Sequence, residues 1–376
     1  MSRKINTRSP FFIKVEHDSL ATAELSLYIY SGIKSTDKPT LAEYSISKSE
    51  IGGNNFVVFE ISELVRDYIN IGFNQERTLD AYIARVEADG GVFESNSLLT
   101  NFSLLLDDDY SSGTVWVEAD VEIFNSAGAL VDTRYFDYVA FDGYSYFEEG
   151  ANAELSRTLL QSNTDIYYKS GDIVQVPVFS DEVTAVKFYN GSTLHTTVNV
   201  SPSTSSTSQI VYASSANATT KIEVISGIVE TINVYETDEC KYQPQKITFV
   251  NKFGALQDIY FFKKSIDTIE VKKDSYNASI FDPFSLSYDL QQHQHRIFNK
   301  NAKESVSLNT GYISEQYNSV IKELLLSELV WAEKDGNILP VNLKSESLTF
   351  KTRLNDKLIN YTLDIEYAFD KINNIK

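Results

Sequence analysis

The sequence predicts a mainly β protein: two N-terminal β-sandwich-like modules followed by an α+β C-terminal module with one long helix. Three observations carry this expectation. Apolar and polar residues alternate with a period of two, as in Val115, Val117, Ala119, Val121 and Ile123 against Glu118, Asp120 and Glu122. Short alternating runs are separated by turn residues, the spacing of a sandwich. One long stretch, Glu315–Ala332, keeps a helical period instead. A chain of 376 residues accommodates two or three domains, and the expected boundaries are 1–150, 151–241 and 242–376.

Taken in order, the first module opens with alternation at Leu25, Leu27 and Ile29, and again at Phe56, Val58 and, less cleanly, Glu60. A short helix follows, with Ser62 placed to cap it and Leu64, Val65, Tyr68 and Ile69 on one side. The second module begins with a short helical pattern at Glu154–Leu160, then strands at Ile173–Phe179 and Val183–Tyr189. Asn190-Gly191 is a strong hairpin signal, because both turn positions must accept positive φ. Its return strand is Thr193–Val200, and the Ser/Thr-rich run Ser201–Ser208 is a solvated loop. A second hairpin joins Lys221–Ile225 to Val229–Tyr235 through Ser226-Gly227.

The third module has strands at Ile247–Val250, Ile259–Lys263 and Ile266–Val271, with Gly254 in the first turn. Ser314 is placed to cap the long helix, and Glu315 suits its positive end. Tyr317, Val320, Ile321, Leu324 and Trp331 form one apolar stripe on it. Leu326 and Val330 fall on the opposite side, so they are the candidate interface residues, with a neighbouring subunit as the expected partner and another element of this chain as the alternative. Strands Leu348–Lys351 and Leu358–Phe369, linked by Asn355-Asp356, close the module.

Composition narrows function. Net charge is −19, and Met1–Cys240 carries all of it (15 basic, 35 acidic, a balance of −20), whereas Lys241–Lys376 is near neutral (18 basic, 17 acidic, a balance of +1). An acidic front and a neutral back suit different surroundings, and neither offers the basic patch that phosphate neutralisation needs, so no nucleic-acid partner is expected. No apolar run approaches a membrane span or follows Arg3, Lys4 and Arg8 as a signal peptide would. The single cysteine, Cys240, excludes an intramolecular disulfide, and its acidic neighbours oppose a reactive thiolate.

Catalytic motifs are absent: there is no Gly-x-Ser-x-Gly elbow, P-loop or Gly-x-Gly-x-x-Gly stretch. Asp107-Asp108-Asp109 begins like a calcium loop and ends in Glu118 at the twelfth position, but Ser112 replaces the glycine at the sixth. His293 and His295 would share a face only on an extended strand, and His17 and His195 stand alone. No metal, cofactor or catalytic residue is therefore expected. The aromatics Tyr135, Phe136, Tyr138, Phe141, Tyr144, Tyr146 and Phe147 are expected mainly as packing, with a stacking surface for sugars or a protein interface as the alternative.

The run Lys246-Ile-Thr-Phe-Val-Asn-Lys-Phe-Gly-Ala-Leu-Gln-Asp-Ile-Tyr-Phe-Phe-Lys263 resembles the opening of a domain found in virion proteins of tailed phages, chiefly of marine and Bacteroidetes-type hosts. Leu308–Glu315, Leu326–Trp331, Leu339–Leu343 and Tyr361–Phe369 resemble further pieces of it, and Ser9–Ile13 and Gln175–Phe179 are similar in the same way. The resemblance covers 242–376 well and the rest loosely. It implies a tail, tail-hub or baseplate subunit in the virion, assembling as a ring with itself and with other virion proteins, and no enzyme. A host-surface carbohydrate-binding or adhesion module is the alternative.

Overall fold

The computed structural model describes residues 3–71, 113–153, 158–181, 183–200, 210–334, 336–345 and 358–372. With 53% of the described residues in strands and 7% in helices, the protein is mainly β, as its alternation predicts. Contacts divide it into two units. Unit 1 comprises Met1–Ile166, Gly171–Glu236 and Val250–Gln257; unit 2 comprises Tyr167–Ser170, Thr237–Phe249 and Asp258–Lys376.

Unit 1 starts with β1 (Arg3–Asn6), β2 (Phe12–Glu16), β3 (Thr22–Tyr30), β4 (Tyr44–Ser49) and β5 (Phe56–Glu60). The helix α1 (Ser62–Arg66) follows, and β6 (Thr114–Phe124) and β7 (Leu130–Phe141) complete the segment. One sheet has the order β1-β7-β6-β3-β4, with β1 parallel to β7, and β2 pairs with β5 in a second. Leu25, Leu27, Val117, Ala119 and Val121 of the first sheet bury against Ile13, Val15, Val57 and Phe59 of the second, and Val65 of α1 joins them.

Two local expectations change here. The buried face of β5 is Val57 and Phe59, not Phe56 and Val58. Apolar residues stand at both parities in Phe-Val-Val-Phe, and the register Ile13↔Phe59, Val15↔Val57 selects the pair that faces the buried side of β2. Ser62 does not cap α1; it is the first helical residue, and the Glu60 carboxylate accepts its backbone N–H at 2.9 Å.

The next strands are β8 (Asp165–Lys169), β9 (Val174–Phe179), β10 (Ala185–Asn190), β11 (Thr193–Asn199), β12 (Ile210–Ser215), β13 (Lys221–Ser226) and β14 (Ile228–Thr237). They form the sheet β11-β10-β13-β14-β8 and the ladder β12-β9. Both predicted hairpins are present, turning at Gly191 (φ 60°) and Gly227 (φ 72°). Of the short helix expected at 154–160, residues 154–157 lie outside the described residues, and Leu159 makes a bridge to Val178 instead. The run Ser201–Ser208 also lies outside them.

The segments 1–150 and 151–241 each have their own sheets, yet a common cluster joins them: Trp116, Val139 and Phe141 meet Leu160, Phe179, Ile210 and Phe253. That shared core places the first segment and most of the second within unit 1.

Unit 2 contains β15 (Gln245–Val250) up to Phe249, β16 (Leu256–Phe261) from Asp258, β17 (Ile266–Asn277), β18 (Phe281–Asp282), β19 (Ser287–Tyr288), β20 (His295–Asn309) and β21 (Ile313–Ser314). A 3-10 turn, Glu315–Tyr317, leads into α2 (Asn318–Leu326), giving twelve helical residues. Then come β22 (Val330–Lys334), β23 (Asn337–Leu343), β24 (Leu358–Ile359) and β25 (Thr362–Tyr367). The main sheet has the order β16-β15-β22-β23-β25-β20-β17. Its core gathers Tyr317, Val320, Ile321 and Leu324 of the helix with Ile247, Phe249, Val306, Leu308, Leu363 and Ile365 of the strands.

The helix is shorter than its sequence pattern. The side chain of Ser314 accepts from the N–H of Gln316 as expected, but Ser327 is already extended (ψ 133°) and Val330-Trp331-Ala332 is strand. That strand pairs with β15 (Phe249↔Val330, Ile247↔Ala332) on one side and β23 on the other. Two ladders of backbone hydrogen bonds on a β-branched and aromatic run outweigh a weak helical periodicity. The strand Leu348–Lys351 and the link Asn355-Asp356 lie outside the described residues. Of the return strand, Leu363, Ile365 and Tyr367 are buried on one face and Phe369 is exposed.

Candidate functional site

Val330 is 5% exposed within the unit 2 core, whereas Leu326 is 46% exposed at the end of α2. The two therefore do not share a helix face, and the second apolar stripe that paired them does not exist. Leu326 alone remains on the surface.

A larger exposed apolar feature lies elsewhere in unit 2. All twelve residues of β17 are exposed, and so are the first six of β20. These strands pair from Ile266↔Ser307 to Asn277↔His295, but β25 pairs only with Ser305–Asn309 of β20. Beyond Ser305 the hairpin is a two-stranded arm. From Ile269 to Asn277 it extends for about 30 Å at roughly 3.3 Å per residue. Its tip is the small ladder β18-β19.

The arm shows side chains that a soluble hairpin would bury. Tyr276 and Phe298 lie against each other (centroids 6.2 Å apart), as do Phe281 and Tyr288 (6.1 Å). Phe284 is 98% exposed and Leu290 91%. At roughly 200 Å² per ring, the five aromatics alone expose on the order of 600 Å², about the size of the largest apolar patch on a typical monomer.

The tip is built to hold this display. The Asp282 carboxylate accepts the N–H of Phe284 at 3.0 Å and the hydroxyl of Ser285 at 2.6 Å. The Ser285 bond, then the Phe284 N–H, keeps the carboxyl below its usual range. Leu286 has φ 49°, a left-handed conformation unusual for a bulky residue. Such strain collects at sites that bind. A concavity of about 530 Å³ lies beside it, lined by Ile280, Pro283, Phe284 and Gln292 among others. At the base, Lys371 bonds the Glu304 carboxylate at 2.9 Å and, more than any other contact, lowers its pKa.

His293 precedes β20 and His295 begins it; both are exposed, so no common strand carries them. Among the described residues no group of three or more His, Cys, Asp and Glu is placed to hold a metal ion. Asp107-Asp108-Asp109 lies outside those residues. His195 sits between two hydroxyls, Thr196 at 2.9 Å and Thr219 at 3.3 Å, and Cys240 is exposed. Of the seven aromatics at 135–147, Tyr138, Phe141 and Tyr144 are buried and Phe136 packs on the core; Tyr135 and Phe147 are exposed.

Among the described residues of unit 1, a charged cluster lies on the face of the first sheet opposite its buried Val117, Ala119 and Val121. Tyr30 donates to the Glu118 carboxylate, and burial first, then this bond, pushes its phenol well above the usual value. Lys38 bridges Glu118 (2.9 Å) and Asp120 (3.6 Å) and lies over the Tyr28 ring, while Lys34 pairs with Asp137 over Trp116. These pairs pin the 31–43 loop to the sheet.

The motif Asn251–Gln257 has a structural role. Asn251 is buried; its side-chain oxygen accepts from Phe253 and Ala255 N–H, and its amide donates to Leu160 O at 2.7 Å and Gln257 Oε1 at 3.0 Å. Gln257 in turn donates to Asn163 Oδ1 at 3.1 Å. No family model and no curated protein matches the chain. No helix of the described residues is long and apolar enough to cross a membrane.

Proposed function

We propose that this protein is a structural subunit of a tailed-phage virion, a tail, tail-hub or baseplate part that docks onto copies of itself and other virion proteins and performs no catalysis. The exposed apolar arm of unit 2 carries this reading. Five displayed rings along an arm whose tip is strained mark a surface for contact, and a building part covers such a surface on assembly. The resemblance of 242–376 to virion domains points the same way, because the arm belongs to that region. The carbohydrate-binding alternative has two exposed rings, Tyr135 and Phe147, behind it, and nothing places them on one platform.

Negative-stain imaging and mass photometry of the purified chain test the proposal. Ordered multimers, and no sugar release from a panel of host glycans, are the expected result. A protein that stays monomeric at tens of micromolar and binds glycans through Tyr135 or Phe147 would instead be an adhesion module.

A further inference from the structure

The β17 strand is the last in its seven-stranded sheet, and no described residue covers its outer edge. Natural edges are defended by prolines, by charged side chains (lysine above all), by shortness, by a bulge on the edge or by a covering segment. β17 is twelve residues long with no proline, and the one irregularity of the arm lies between Asp274 and Ser275, towards its end. The defence of this edge is its charge, in Asp267, Glu270, Lys272, Lys273 and Asp274, and because both signs are present it leaves a strand of complementary charge order able to pair.

We infer that the partner strand is β17 of a second copy, running antiparallel about a two-fold axis at Val271. Symmetry restricts the register. In an antiparallel pair, hydrogen-bonded and non-bonded pairs alternate, so a two-fold axis must pass through a residue facing its own copy. Centring on Glu270, Lys272 or Lys273 sets that charge against itself, and centring on Ile269 shortens the seam and gives no ion pair. Centring on Val271 places Glu270 opposite Lys272 twice, and Ile266 opposite Tyr276 at both ends. Opposite charges and aromatic–β-branched pairs directly across a seam stabilise it, and like charges destabilise it. The seam spans eleven residues, about 35 Å, and makes one four-stranded sheet from the two arms. A two-fold contact closes on itself, so a ring that uses it stacks in pairs. The inference stands independently of which particle the protein belongs to.

Sedimentation equilibrium of the full chain tests it with Glu270→Lys, Lys272→Glu and the double exchange. The wild type should form dimers. Each single change should weaken the dimer at least about tenfold, since two favourable pairs become two repulsions, and the double exchange should restore it to within about threefold. Both sites are exposed, so melting curves taken at concentrations low enough to keep every variant monomeric should coincide. A monomeric wild type, or a double exchange no better than the singles, overturns the pairing. If Phe284→Ser with Leu290→Ser abolishes association while the charge variants leave it intact, the tip is the contact; β17 pairing then falls and the structural-subunit proposal stands.

Discussion

A Cβ on Gly254 would lie 2.8 Å from the backbone of Asp142 and 2.9 Å from the nitrogen of Gly143, and its φ is +75°. Neither can yield, because the clashing atoms are main chain. Gly191 also has positive φ (+60°), but open space surrounds it. The two therefore separate strain from crowding. Gly191→Ala should cost about 1–2 kcal/mol from the left-handed backbone alone. Gly254→Ala should cost about 2–5 kcal/mol, strain and overpacking together. Urea midpoints of the two variants measure the gap; equal losses would mean that the Asp142 contact is not tight. The turn itself is readable in the sequence, since Asn-x-x-Gly is turn chemistry. Its partners are not. Leu160 and Asn163 lie more than ninety residues away from the amides they meet, and a buried Asn or Gln specifies that it needs a partner without specifying which.

Secondary structure was legible wherever one period had no rival. β6 buries the alternating set Val115 to Ile123, and both glycine-turn hairpins form. Where two patterns compete, local sequence cannot choose. Phe56–Phe59 is apolar at both parities, so only pairing with β2 fixes its face. Val330–Ala332 continues a helical period and is also a good strand, and the ladders to β15 and β23 decide it. This reassigns the roles on α2. Leu324 is wholly buried in the core and Leu326 is at the surface. Leu324→Ala should lower stability by about 2–5 kcal/mol. Leu326→Glu should stay within roughly ±0.5 kcal/mol, as surface changes do. Thermal or urea unfolding compares them directly, and a Leu326→Glu loss near that of Leu324→Ala would show that Leu326 is covered in the folded chain.

At the scale of the molecule, the division of charge at residue 240 is visible in composition, but the arm is not. An exposed ring and a buried ring have the same letter, and the residues from Tyr276 to Phe298 show no alternation from which a solvent face could be assigned. The arm nevertheless has a physical signature. A two-stranded hairpin with no sheet behind it is marginally stable by itself, so it should open locally at far lower free energy than the strands of the core. It carries Lys272, Lys273, Arg296 and Lys300, all exposed. Trypsin should therefore cut after these residues in dilute protein well before it cuts after Lys246 in β15 or Lys322 in α2. If the arm is the surface that assembly covers, its cleavage should also slow as protein concentration rises, while cleavage at Lys322 stays constant. Site-resolved mass spectrometry of a time course at two concentrations separates these effects. Fast arm cleavage with no concentration dependence would leave the arm exposed in the assembled protein and remove it as the docking element. Slow cleavage at both concentrations would mean that the hairpin is rigid without a partner, and its open edge would then need another explanation.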